Sequence, residues 1–195
     1  MRSNVCKIEQ GSRDLNEILA ECERVAEYNR LSHKQSLQLR LLCEELDGML
    51  PNIIDDFNGE LWIDYDNGVC KVNVSINIPE FNTEKKAELI GIAKNKKNSA
   101  AVGIVGKIRN SLENIFLNED VMTSFATSYG TVSYGEGIDY AYLWKLEEYR
   151  SSVKTEKRAE AWDELEKSVI ASVADDIVIG IKGSKADITI VKNIA

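Results

Sequence analysis

The sequence has little proline and almost no histidine. Its 195 residues include two prolines and one histidine, His33, while 44% are apolar, which disfavours disorder. The first residues hold no apolar core of signal-peptide length, and no uncharged apolar run approaches the roughly 20 residues of a membrane helix. We therefore expect one domain over residues 1–195 that is cytoplasmic and has no membrane partner.

Cysteine is present, but in no spacing that predicts a metal site. Cys6, Cys22, Cys43 and Cys70 form no Cys-x-x-Cys pair, so a zinc site would require distant parts of the chain to converge. We expect four buried or half-buried free thiols in a reducing compartment, and no metal ligands.

Positive charge is in deficit. The chain has 24 Lys and Arg against 32 Asp and Glu, so its formal net charge is −8 and its pI is about 4.9. A nucleic-acid-binding protein needs a surplus of Lys and Arg on one face to neutralise phosphates. We therefore expect no nucleic-acid partner.

Apolar periodicity in the first part of the chain predicts one strand and two helices. The strand lies at 3–8, and the helices lie at about 13–29 and 33–55. The second helix is expected to begin after the cap Ser32. Pro51 lies inside it and is expected to kink the helix or end its first segment.

The rest of the chain predicts two hairpins separated by helices. Strands at 60–65 and 69–78 flank Asp66-Asn67-Gly68, a strong hairpin turn. The further elements are helices at about 82–94, 98–116, 139–150 and 157–174 and a hairpin with strands at 177–181 and 188–191. Helices grouped between hairpins predict an α/β two-layer sandwich of the α+β kind, with a mixed, mostly antiparallel sheet and helices on one face.

Residues 119–157 differ from the rest in composition. Five of the seven tyrosines fall here, among them Tyr129 and Tyr149. Tyrosine suits a protein interface because it combines apolar area with a polar tip, and it equally suits a flap folded over the chain's own core. The sequence leaves both readings of this insert open.

The element order and the segment Leu41-Leu-Cys-Glu44-Glu-Leu-Asp-Gly48-Met resemble the histidine-kinase-like ATPase (GHKL) fold, and within it the anti-sigma factor serine kinases. The resemblance covers about residues 5–118 and 175–192. In that family a helical Glu orients or deprotonates the attacking group, and an Asn four residues later binds magnesium. Glu44 matches the catalytic Glu, whereas Gly48 replaces the Asn and is expected to be a close-packing site against the sheet.

The family's two glycine boxes have weaker counterparts. The Asp-x-Gly-x-Gly box, whose Asp accepts the adenine amino group, corresponds to Ser75-Ile-Asn77-Ile-Pro79, so the resemblance makes Ser75 and Asn77 the adenine contacts. The second box is similar to residues 99–107, where a basic loop enters a helix whose free N–H groups attract anions. The candidate phosphate contacts there are Lys97, Gly103, Gly106 and Lys107.

These departures predict a regulatory module with a degenerate ATP site. ATP or ADP binds weakly or not at all, magnesium binding is doubtful, and the chain acts through a protein partner that the sequence does not identify. One alternative is an active Mg-ATP-dependent serine kinase or ATPase that uses Glu44, which needs metal ligands the sequence does not supply. The other is a structural subunit that forms homo-oligomers through the region between Tyr129 and Tyr149. A surface carboxylate remains the simpler reading of Glu44.

Overall fold

A computed structural model gives the fold. The described residues are 1–11, 14–54, 57–77, 106, 108, 132–134, 138–140, 142–156, 161–163, 165, 168–182 and 185–194. The helix predicted at 82–94 and the turn predicted at 183–184 lie outside these residues.

The chain begins with strand β1 (Cys6–Glu9) and helices α1 (Leu15–Tyr28) and α2 (His33–Ile53), as its periodicity predicts. The Asp14 carboxylate caps α1 by accepting the N–H of Asn16. Ser32 caps α2 with a capping box, in which its hydroxyl accepts the N–H of Gln35 and the Gln35 side chain accepts the N–H of Ser32. Local side chains therefore determine where both helices start.

Pro51 lies within the last turn of α2 and does not end the helix, which continues to Ile53. A proline removes one intrahelical hydrogen bond, because it has no N–H to donate four residues back. Because Pro51 lies only two residues before the end of α2, the loss of this hydrogen bond leaves the rest of the helix intact. The cap residue Ile54 still donates its N–H to the carbonyl of Leu50, which closes the helix.

Strands β2 (Asn58–Asp66) and β3 (Val69–Asn77) form the predicted hairpin. Asn67 and Gly68 both have positive φ, 47° and 85°, as a two-residue type I′ turn requires. The prediction of this turn from Asn-Gly is confirmed. The turn sets the register in which Val72 lies opposite Ile63.

The second half of the chain contributes shorter elements. They are β4 (Val132–Tyr134), β5 (Ile138–Tyr140), β6 (Tyr142–Lys145), α3 (Leu146–Thr155), α4 (Val169–Val173), β7 (Asp176–Lys182) and β8 (Lys185–Asn193). The predicted closing hairpin is thus present as β7 and β8, which pair antiparallel.

The helix predicted at 139–150 is wrong in its first half. Ile138–Tyr140 and Tyr142–Lys145 are strands, and the helix begins only at Leu146. Trp144 lies opposite Ile179 of β7, so pairing with the edge of the sheet decides the conformation. The apolar spacing of so short a segment fits a strand as well as a helix, and only tertiary contacts separate the two.

The single helix predicted at 157–174 is also wrong. Residues 161–163 and 165 are helical, but Ser168 has an extended backbone and starts a new helix, α4. Its hydroxyl accepts the N–H of Ala171 at 3.3 Å. A serine that caps the following turn offers the backbone an alternative to continuing the helix.

The main sheet has six strands in the order β1-β2-β3-β8-β7-β6. Each neighbouring pair is antiparallel, so among the described strands there is no parallel pair of the kind that a mixed sheet contains. Strands β4 and β5 form a separate two-stranded sheet. The α+β class is confirmed, and the sheet is antiparallel where it is described.

The core lies between the helices and one face of the sheet. Ile63, Val72, Ile190 and Ile177 are neighbours across β2, β3, β8 and β7, and all are fully buried. Helix α1 contacts β2, and α2 contacts β3. The chain is therefore a two-layer sandwich whose described helices contribute to one shared core. Within the described residues, no helix is both long and apolar enough to cross a membrane.

The tyrosine-rich segment belongs partly to the main fold. Strand β6 is an edge strand of the six-stranded sheet, and α3 buries Leu146 and Val153 in the core. Strand β5 also contacts β7. Residues from 142 onward are therefore not an appendage, and the contact of β5 with the sheet favours the flap reading over a free interface.

Gly59 and Gly48 differ in the space available for a side chain. A Cβ on Gly59 in β2 would collide with the Ser75 carbonyl oxygen and lie 2.9 Å from Ile76 Cα. A Cβ on Gly48 in α2 meets nothing within 4 Å, and Gly48 is exposed. The prediction that Gly48 packs closely against the sheet is therefore wrong, because this residue lies on the solvent side of α2.

We expect Gly59→Ala to destabilise the protein by at least about 2 kcal/mol, since the added methyl displaces the neighbouring backbone of β3. Gly48→Ala is the matched control, and it should stabilise the protein by about 0.5–1 kcal/mol through helix propensity. Urea unfolding followed by circular dichroism measures both values. A Gly59→Ala protein as stable as wild type would contradict the close approach of β2 to β3.

Candidate functional site

The candidate catalytic residue Glu44 lies in an ion-pair cluster between α1 and α2. Arg40 Nε donates to Glu44 Oε1 at 2.9 Å, and Arg40 Nη1 lies 3.4 Å from Glu23 Oε1 of α1. The Glu44 side chain is 37% exposed. A partly exposed carboxylate paired with a guanidinium four residues away is a common surface arrangement. Acting as a base would require Glu44 to leave this pair.

The helix turn after Glu44 offers backbone rather than side-chain groups. Gly48 has no side chain, and its carbonyl accepts Asn52 Nδ2 at 3.0 Å. Glu44, Gly48 and Asn52 follow one another at intervals of four along α2, so they share one side of the helix. Asn52 carries an amide one helical turn after Gly48, the position where the resembled family has its Asn. Asn52 was not among the predicted ligands, although its four-residue spacing from Gly48 is visible in the sequence.

The candidate adenine contacts lie on the other side of the sheet. Val74 and Ile76 are buried in the core beneath the helices, so Ser75 and Asn77 alternate with them and point to the opposite face. Asn77 Nδ2 donates to Asn58 Oδ1 at 3.1 Å across the β2–β3 pair. Because Glu44 belongs to the helix layer, the sheet separates it from Ser75 and Asn77. The structure does not bring these residues together.

The candidate phosphate contacts lie mostly outside the described residues. This holds for Lys97, Gly103 and Lys107. Gly106 is helical and buried, as is Ile108, which belongs to the main core. Both fall within the helix predicted at 98–116. A buried glycine inside a helix contributes to packing and presents no open anion site by itself.

The magnesium site that the resemblance implies does not fit the residues at the matching positions. Gly48 has no ligating atom in a side chain, and Glu44 is engaged by Arg40. Within the part of the chain that the structure describes, no group of three or more His, Cys, Asp or Glu is arranged to hold a metal ion. The four cysteines are buried and free, as predicted.

A polar network that the sequence did not reveal lies on the sheet face away from the helices. Arg2 Nε and Nη2 donate to the two carboxylate oxygens of Asp64 at 2.8 and 3.0 Å, and Arg2 lies over the Trp62 ring at 5.4 Å. Trp62 Nε1 and Asn73 Nδ2 donate to Asp64 Oδ2 at 3.0 and 3.2 Å. Thr189 Oγ1 donates to Asn73 Oδ1 at 3.0 Å. We call this set the Asp64 network.

The Asp64 network keeps its carboxylate ionised. Burial by itself would raise the pKa of Asp64, but hydrogen bonds from Arg2 and Trp62 and the charge of Arg2 outweigh burial and lower this pKa below its ordinary value of 3.8. An acid held in the charged form by a bidentate guanidinium is suited to joining strands rather than to exchanging protons. The network links the N-terminal segment, β2, β3 and β8.

The comparisons with known proteins do not assign a function to this chain. No protein-family model matches the chain, and no curated protein or solved structure matches it. A function for this chain therefore has to be inferred from its residues and from how the fold places them.

Acid should weaken the contribution of Asp64 to stability. Because its pKa is lowered on folding, this contribution is complete above the ordinary pKa of 3.8 and is lost as the pH falls through the folded value. We expect Asp64→Asn to destabilise the protein by about 1–2 kcal/mol at pH 7 and by much less at pH 2–3. Urea unfolding at both pH values measures the change.

The matched control is Asp66→Asn, which removes the same charge from an exposed position on the same strand. Its effect should be small and should not follow the profile of Asp64→Asn. An Asp64→Asn effect of equal size at both pH values would show that the carboxylate charge is not what stabilises the network.

Proposed function

We propose that this chain is a regulatory module, built on a sandwich of the histidine-kinase-like ATPase type, that has a degenerate ATP site and acts by binding another protein, as anti-sigma factors do. One observation carries the proposal: Glu44 is paired with Arg40, while Gly48 presents no ligand one turn later. Glu44, which matches the family's catalytic Glu, thus carries the charge of a base but lies in a surface ion pair.

The layout of the fold supports the resemblance in part. The element order and the helices on one face agree with it, whereas the antiparallel pairing of the described strands departs from a mixed sheet. The resemblance therefore depends on element order and on the second helix. Ser75 and Asn77, on the opposite face from Glu44, argue against a complete nucleotide site among the described residues.

Regulation is favoured over phosphoryl transfer for an electrostatic reason. Transfer of a phosphoryl group requires the charge on its oxygens to be neutralised, which commonly falls to a well-held metal ion. In an active kinase, Glu44 would have to separate from Arg40 and another residue would have to replace the side chain missing at Gly48. A binding module needs neither change.

The helix layer offers apolar surface for a protein partner. Leu37 on α2 is 51% exposed and Val169 on α4 is 43% exposed, and these two helices contact each other. Trp162 is a further exposed apolar side chain, at 40%. Large exposed apolar side chains on neighbouring elements are typical of interaction surfaces. The four reduced thiols suit a reducing compartment such as the cytoplasm.

Calorimetric titration with ATP and ADP, with and without magnesium, tests the proposal. We expect wild type to bind these nucleotides no more tightly than about millimolar, with no strengthening by magnesium, because the matching ligand position is empty of side chain. Gly48→Asn restores the amide that the family carries. If the fold resemblance holds, this variant should bind Mg-ATP at least about tenfold more tightly than wild type.

Two controls separate the causes. Gly48→Ala provides a larger gain in helix propensity than Gly48→Asn and adds no amide, so it should leave nucleotide binding unchanged. Glu44→Ala removes the candidate base. Micromolar, magnesium-strengthened binding by wild type, with turnover that is lost in Glu44→Ala, would overturn the regulatory proposal in favour of an active kinase or ATPase.

A further inference from the structure

Two buried thiols meet where α1 packs on α2. Cys22 Sγ of α1 lies 2.8 Å from Cys43 Sγ of α2, and both cysteines are free in this structure. A disulfide bond is about 2.05 Å long, so these atoms need to approach by only about 0.8 Å more. The connection between the two helices is short, since α1 ends at Tyr28 and α2 begins at His33. The helix pair therefore holds the two thiols close to bonding distance.

The other two cysteines surround this pair. Cys6 of β1 and Cys70 of β3 lie in the same core, beneath the two helices. Burial, followed by nearby carboxylates and Cys22, raises the pKa of Cys6 to about 11, and burial together with Cys22 and Asp64 raises the pKa of Cys70 to about 12. Cys22 is thus near every other thiol, but Cys43 is the one that it contacts.

Burial also protects the pair from reaction. Cys22 is 2% exposed and Cys43 is fully buried. The hydrogen bond with Cys22, and then burial, raise the pKa of Cys43 well above its ordinary value. Because the thiolate is the nucleophile in thiol oxidation, the folded pair should react slowly even though its two sulfur atoms are close together. Reaction requires α1 and α2 to separate locally.

We propose that Cys22 and Cys43 form a latent disulfide site, which a small peroxide closes when the α1–α2 pair opens and which then locks these helices together. In the first step one thiolate attacks a peroxide oxygen, the O–O bond breaks, and a sulfenic acid and hydroxide form. The second thiol then attacks the sulfenic sulfur, the S–O bond breaks and water leaves. Two thiols are oxidised to one disulfide, and one hydrogen peroxide is reduced to two waters.

The bond would act mainly on the open state of the helix pair. It closes a loop of about 20 residues that includes the end of α1, the connection and half of α2. Such a cross-link limits the freedom of the unfolded chain while asking little of native geometry that already places the sulfurs together. A transient opening of the helix pair would therefore lead to a lasting Cys22–Cys43 disulfide, which a thiol reductant would reduce again.

Peroxide treatment of the full chain, without denaturant and at urea concentrations below the unfolding transition, tests this. After alkylation of the remaining thiols, non-reducing peptide mapping should show a Cys22–Cys43 link that forms faster in urea. The oxidised protein should melt about 5–10 °C higher than the reduced protein, and dithiothreitol should restore the lower value.

Cys70→Ala is the matched control, because it removes a neighbouring buried thiol and should leave the link intact. Cys43→Ala should abolish both the link and the rise in melting temperature. The mapping of wild type needs no variant, so the test stands even if one of these proteins fails to fold. Absence of the link at every urea concentration, a dominant link from Cys22 to Cys6 or Cys70, or an unchanged melting temperature would each overturn the proposal.

Discussion

The pairing of β3 with β8 is the contact on which the rest of the fold depends. The two strands pair along nine residues each, from Val69 opposite Asn193 to Asn77 opposite Lys185. They are far apart in sequence, since Asn73 and Thr189 are separated by 116 positions, so bringing them together has a substantial loop-closure cost. Their union joins the sheet of the first half to that of the second and creates one continuous apolar face for the helices. Without it, the six-stranded sheet would divide into β1-β2-β3 and β8-β7-β6.

The N-terminal segment binds the two layers to each other at one edge of this sheet. Arg2 pairs with Asp64 on the open face, while Asn4 donates twice to Glu21 of α1, at 3.0 and 3.1 Å. Glu21 is 4% exposed and also accepts Arg24 Nη1 at 2.6 Å, so its buried charge is compensated. The N-terminal segment therefore adds hydrogen bonds to the charged groups of Asp64 in the sheet and Glu21 in α1, in addition to the apolar contacts of the core.

Features encoded within a few residues of each other were predictable, and features that depend on distant neighbours were not. Asn67-Gly68 specified its turn, but the strand ending at Lys145 needed β7 to be recognised as a strand. For the site, the alternation of Val74 with its neighbours already predicts that Ser75 faces away from the core, which the family resemblance did not convey. The pairing of Glu44 with Arg40 followed i, i+4 spacing and was visible as well. The Asp64 network joins segments far apart in sequence, so no local pattern contained it.

The candidate site and the thiol pair both lie on helix α2. Cys43 and Glu44 are adjacent on α2, one facing the core and the other the ion-pair cluster with Arg40 and Glu23. Separating α1 from α2 would therefore expose the Cys43 thiol and weaken the contact of Arg40 with Glu23 in the same movement. A partner that binds the helix layer and favours the closed pair should protect the thiol, whereas one that favours the open pair should increase its reactivity. The oxidation rate of Cys43 thus reports on the geometry of the helix layer that the proposed regulation would use.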